Sequence, residues 1–275
     1  MSYLRGRLIH IFDMKHLLTL LFALSILPAC AQDYSTLYKE GVKLIENKEY
    51  SKAIPVLEQA LPLAGERGRF STLVNLAYSQ MMTGALDKAI GNYSKALSLR
   101  PGDSAVLLQR AGAYLQAGRL DEAITDCSLI IDNNAGNTDA LLMRAQTYTL
   151  KGEHTKAKSD FVDIITIEPQ NADAKLGLVQ VYQKEKMLNE AFILIGLMIE
   201  EQPENATLYI VRSDIEREMG HAELALLDVG KAIEIDPENP EYHTLQAILY
   251  EKCGKKSAAA RSRRKANALK AKNDQ

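Results

Sequence analysis

The sequence predicts an all-α fold, a solenoid of about seven helical hairpins of 34 residues, and three observations carry that expectation. Ala89, Ala123, Ala157, Ala191, Ala225 and Ala259 recur every 34 residues. Five residues before them stand Gly84, Gly118, Gly152, Lys186, Gly220 and Gly254; twelve after the first five stand Pro101, Ala135, Pro169, Pro203 and Pro237. Registers sharing one period mark stacked units, each too small to bury its apolar face alone. Composition agrees: the 275 residues are 47% hydrophobic but only 6% aromatic, with no Trp, which suits thin layers of Ala, Leu and Ile. The same figures exclude a disordered or collagen-like chain.

The chain opens on an address. Residues 17–27 form an uncharged apolar run of 11 residues behind Arg5, Arg7, Lys15 and His16. A helix crossing a bilayer needs about 20 such residues, so the run reads as a secretory h-region and residues 1–31 as a signal peptide. Met1 and Met14 both serve as starts for it. Leu27-Pro28-Ala29-Cys30 resembles the lipobox of bacterial lipoproteins, whose Cys becomes the lipidated first residue, although Pro28 departs from that pattern. Ala29-Cys30-Ala31 also offers ordinary cleavage after Ala31. Both readings predict an exported protein of the periplasm or outer membrane, lipid-anchored if Cys30 is modified. Cys127 and Cys253 stand four units apart, too far to bridge, and read as free structural thiols.

Seven units follow in order: 34–69, 70–103, 104–137, 138–171, 172–205, 206–239 and 240–275. The first has Ala53 in the Ala position and Gly41 as its small crossing residue; its two extra residues are expected in a Gly65 to Gly68 loop. In the third, Val106, Leu107, Ala111, Tyr114 and Leu115 make a stripe at three- and four-residue spacing, and Gly118 ends that helix. Asp121 and Glu122 then favour the start of a second helix, which buries Ala123, Ile124, Cys127, Ile130 and Ile131. Pro in place of Ala135 blocks continuation in the other units. The last unit is basic: residues 252–275 hold nine Lys plus Arg and one acid, against 21 Lys plus Arg and 33 Asp plus Glu over residues 32–251. A polar, Ala-rich helix of this kind caps a solenoid.

With Leu73-Val74-Asn75-Leu76-Ala77-Tyr78, Gly84-Ala85-Leu86-Asp87-Lys88-Ala89-Ile90, Tyr93, Ala96-Leu97 and Pro101, the second unit resembles the tetratricopeptide repeat. The resemblance covers residues 34–273 and implies a right-handed superhelix whose first helices line a concave groove for a peptide or partner protein. On that implication the groove residues are Val74, Tyr78, Met81, Met82, Leu108, Leu115, Leu142 and Gln146, with Gly112, Gln116, Thr149, Leu176, Gln180, Gln183, Ile210, Asp214, Arg217 and Glu218 on the same face. Tyr78 with Met81 and Met82 is the expected anchor. A clamp for chaperone C-terminal carboxylates is absent: Asn75 fits, while Tyr38, Val42, Ala105 and Gln109 fill its other places.

Arg110, Arg144 and Arg212 are each followed sixteen residues later by Asp126, Asp160 and Asp228; units with Leu76 and Leu178 carry Asn92 and Leu194 instead. This joint variation predicts an ion pair between the two helices of a hairpin, not a catalytic carboxylate set, which would have to converge on one site. His154, His221 and His243 lie in three units without close-spaced partners, so no metal site is expected. No phosphate-binding or nucleophile motif occurs. The expectation is a non-catalytic scaffold of the bacterial cell envelope without cofactor, nucleic acid or small-molecule substrate. A periplasmic holder of unfolded or assembling proteins is the alternative.

Overall fold

A computed structural model describes residues 33–273, so the signal-peptide segment and Cys30 lie outside the described residues. Among those described there are fourteen α-helices and no strand. They form two compact units, divided after Pro101. Residues 33–101 hold α1 (Tyr34–Glu46), α2 (Tyr50–Ala60), a 3-10 turn (Leu61–Leu63), α3 (Glu66–Met82) and α4 (Leu86–Leu99). Residues 102–273 hold α5 (Ser104–Gln116), α6 (Leu120–Asn133), α7 (Thr138–Lys151), α8 (His154–Ile167) and α9 (Ala172–Lys184). They continue with α10 (Leu188–Glu201), α11 (Ala206–Glu218), α12 (Ala222–Ile235), α13 (Pro240–Lys252) and α14 (Lys256–Asn273). Odd-numbered helices are the first of each hairpin and even-numbered ones the second. Within each unit every helix packs on its neighbours in the chain.

Local chemistry explains the boundaries. The first helices α5, α7, α9, α11 and α13 start behind Asp103, Asn137, Asn171, Asn205 and Asn239, whose side chains accept from backbone N–H groups of the first turn. Those five Asx residues are themselves 34 apart and satisfy donors the helix leaves open. The turn inside each hairpin needs a left-handed residue. Gly152, at φ 79°, lets Glu153 N–H reach back to the Tyr148 carbonyl at 2.9 Å. Lys48 and Lys186 occupy the same place at φ 60°, where a side chain costs what Gly does not.

One expectation fails. The extra residues of the first hairpin do not form a Gly65 to Gly68 loop, because α3 starts at Glu66 and Gly68 lies inside it. The reason is position 69: where later hairpins place an Asx cap, this one has Arg69, so nothing stops the helix there and it runs one turn further back. Tyr34 fixes that extra turn by donating to the Gly68 carbonyl at 3.1 Å.

In each unit the core is made of small and aliphatic side chains. Ala53, Ala89, Ala123, Ala157, Ala191 and Ala225 are all fully buried at the crossing of their two helices. In the longer unit, Leu141, Ala157, Phe161, Ile164, Leu178 and Val181 form one cluster and Val179, Ile195, Met198, Leu208 and Ile215 another. Gly177 makes room for Phe161: a Cβ there would lie 2.3 Å from its ring. α14 contributes Ala259, Ser262, Ala266 and Leu269 to the core and leaves its other faces to solvent. Its cations pair with acids of the preceding segment, Lys270 with Glu241 at 2.9 Å and Arg263 with Glu251 at 2.7 Å.

Candidate functional site

Three Arg and Asp pairs tie the two helices of their hairpins together. Arg110 donates from Nε and Nη2 to Asp126 at 2.8 and 2.7 Å; Arg144 does so to Asp160 at 2.8 Å twice, and Arg212 to Asp228 at 2.8 and 2.6 Å. The three carboxylates are buried, and the bidentate hydrogen bonds raise each guanidinium above its ordinary value. Arg144 also donates to Ser128 of the preceding hairpin at 3.0 Å. The sequence reading left one instance unnoticed. Gln246 and Ser262 occupy these same two positions in the last hairpin, and Ser262 donates to Gln246 at 2.7 Å. In the second hairpin Asn92 donates to Gln80 at 2.9 Å, and in the fifth Leu178 and Leu194 fill the space with hydrocarbon. Each arrangement leaves no half-satisfied partner in the interior.

The residues assigned to a groove divide between the two units. In the first, Tyr78 is half-buried and packs edge-on against Tyr50, ring centroids 5.8 Å apart. The hydrogen-bonding influence of the Tyr50 hydroxyl, and then burial, raise its phenol above the usual range. Met81 and Val74 are half-buried; Met82 is 46% exposed and borders a cleft of about 390 Å³ with Lys48, Tyr50 and Thr83. In the longer unit Leu108 and Leu115 are half-buried, and Leu142 packs against the Phe161 cluster, which makes it core as much as surface. Gln146 is exposed.

Further along that unit the first helices open a polar cleft of about 430 Å³, lined by Thr149 of α7, Gln180, Gln183 and Lys184 of α9, Lys186, and Glu218 of α11. Gln146 and Gln180 are one repeat apart and both exposed, and neither amide has a hydrogen bond among the described residues. Thr149 and Gln183 are likewise one repeat apart. Gln183 and Lys186 both donate to Glu218, at 3.3 and 3.0 Å. The side chain of Lys186, standing where five other hairpins have Gly, thereby reaches the next hairpin.

Other surfaces were invisible to helical phase alone. Ile193 and Leu197 of α10 and Leu227 of α12 are more than half exposed on second helices. His221 bonds Glu216 at 2.8 Å, and the His243 ring donates from Nε2 to the Pro237 carbonyl at 3.0 Å. Among the described residues no group of three His, Cys, Asp or Glu could hold a metal, and no helix is long and apolar enough to cross a membrane. Cys127 and Cys253 are free; burial pushes the Cys127 thiol up to about 12.

Residues 80–146 and 138–171 match family models described as tetratricopeptide repeat. The architecture is similar to a tetratricopeptide repeat protein of Parabacteroides merdae, with TM-score 0.69, 23% identity, and coverage of 86% of this chain and 93% of that one. Residues 80–171 are thus tetratricopeptide repeats, and the described chain has the fold of such proteins. The C-terminal part of a repeat protein from Cytophaga hutchinsonii aligns at TM-score 0.68 and 18% identity, over 84% of this chain and 95% of its own. YrrB, described as a tetratricopeptide repeat protein with an unusual peptide-binding site, aligns at TM-score 0.50 and 16% identity, over 64% of this chain and 91% of its own. No curated protein matches the sequence. Tetratricopeptide repeats are in general scaffolds that bind protein or peptide partners.

Proposed function

We propose that this repeat protein is a non-catalytic scaffold of the bacterial cell envelope that holds an extended segment of a partner protein against the first helices of residues 102–273. The observation that carries the reading is the pair of exposed amides of Gln146 and Gln180, one repeat apart, the second of them lining the Thr149 and Gln183 cleft. A side-chain amide both donates and accepts, which matches the peptide group of an extended chain. The peptide-binding site ascribed to YrrB supports the same use of the fold. Export rests on the apolar run 17–27, and the anchor on a lipid at Cys30.

Crosslinking in the native envelope, compared between the parent and a Gln146→Ala/Gln180→Ala variant, tests the groove. One dominant partner, lost in the variant, is the expected outcome; capture unchanged by both substitutions would sink the reading. Alanine at Tyr78, Met81 and Met82 is the corresponding test of the apolar end. Many unrelated partners there would favour the alternative, a holder of unfolded proteins. Lipid labelling that persists in Cys30→Ala would exclude the anchor.

A further inference from the structure

At the end of α3 remote from Met82, the first unit has a second cleft, of about 470 Å³, that owes nothing to the peptide groove. Thirteen residues of helix, about 20 Å at 1.5 Å per residue, separate Arg69 at this cleft from Met82 at the other end. Its walls are aliphatic: Leu61 and Pro62 of the 3-10 turn, Leu73 of α3 and Leu99 of α4. Leu99 is 45% exposed. Two cations border it, Arg69 and Lys95. Neither forms an ion pair among the described residues; Lys95 has only the neutral Asn92 Oδ1, at 3.4 Å.

The cleft exists because this hairpin departs from the others. Arg69 replaces the Asx cap, α3 gains a turn, and a 3-10 turn with Pro62 leads into it. We propose that it binds a carboxylate at the end of an aliphatic chain, a fatty acid, with the chain against Leu61, Pro62, Leu73 and Leu99 and the carboxylate between Arg69 and Lys95. The guanidinium fork can take two carboxylate oxygens, and the ammonium adds a third donor group. The volume falls among small-molecule clefts, which run from about 300 to 1,000 Å³. A peptide is the poorer fit. The neutral polar lining is one hydroxyl, that of Ser98, which already donates to the Lys95 carbonyl at 2.7 Å, so the cleft has no amide to pair with a peptide backbone.

Calorimetric titration of the full chain with octanoate tests the proposal, with octanol and a short peptide ending in a free Leu carboxylate as comparison ligands. Octanoate should bind saturably, and octanol more weakly by about tenfold, the expected worth of one charge-assisted hydrogen bond. Arg69→Gln/Lys95→Gln should weaken octanoate by at least about tenfold on the same ground. Leu99→Glu should abolish binding, whereas Lys184→Gln, beside the polar cleft, should change nothing. Thermal melts like the parent's establish that these surface variants are folded. The proposal is overturned by absence of saturable octanoate binding, by equal affinity for octanol, by binding indifferent to the Arg69/Lys95 change, or by the peptide binding more tightly than octanoate.

Discussion

Residues 33–101 and residues 102–273 carry the same hairpin and fill its interior differently. In the longer unit three of five hairpins close on a buried Arg and Asp pair, and its cleft is lined by amides and charges. In the shorter unit the matching space holds Leu76 and an Asn92 to Gln80 hydrogen bond, and the cleft beside the 3-10 turn is aliphatic with Arg69 and Lys95 at its edge. The frame is constant because backbone approach sets it: no side chain larger than Ala fits where the two helices cross. The space beside that crossing is set by complementarity alone, so ion pair, amide pair and hydrocarbon pair all serve there.

The comparison breaks first at the ion pairs. Arg144→Leu leaves Asp160 buried without its partner and should cost about 3 to 5 kcal/mol in denaturant unfolding. Adding Asp160→Leu recreates the Leu178 and Leu194 arrangement of the next hairpin and should recover most of that loss. A double variant as damaged as the worse single would show that these positions are not interchangeable between hairpins. Next in size is Gly177→Ala, which drives a Cβ into the Phe161 ring and should destabilise by about 1 to 3 kcal/mol, the usual range for overpacking. A neutral result would mean that the frame yields where we describe it as rigid.

The two left-handed lysines sharpen the comparison between units. Lys48→Gly in the first should stabilise by about 0.5 to 1 kcal/mol, because Gly adopts positive φ without penalty. Lys186→Gly should gain less, since it also forfeits the 3.0 Å contact to Glu218. Equal gains in chemical melts would mean that this contact adds nothing. Smallest in energy is the behaviour of Cys127, whose thiol stays protonated well above neutral pH. Alkylation followed by peptide mapping should label it only as fast as the longer unit opens, and later than Cys253.

Most of this was legible because a 34-residue period repeats its own evidence. The Ala and Gly registers, the hairpin limits and the paired positions at sixteen residues all follow from one unit compared with the next. The Asx caps share that period and could have been found the same way; with them, Arg69 stands out as the exception that lengthens α3. Gln246 and Ser262 were overlooked because a neutral pair has no charge signature. Leu142 shows where helical phase stops: it names a face, but whether a neighbour covers that face depends on how successive hairpins stack.

By itself, then, the sequence determined the repeat, its all-α architecture and which residues share a hairpin, since periodicity and the size of a crossing residue are local or near-local constraints. Only the tertiary structure decided which polar groups are already satisfied and which remain free. That question turns on distances between residues of different helices: Gln180 and Gln183 read alike in sequence, yet the Gln183 amide is bound to Glu218 and that of Gln180 has no partner among the described residues. The same holds for Arg69, a surface cation in sequence and the rim of an aliphatic cleft in the fold.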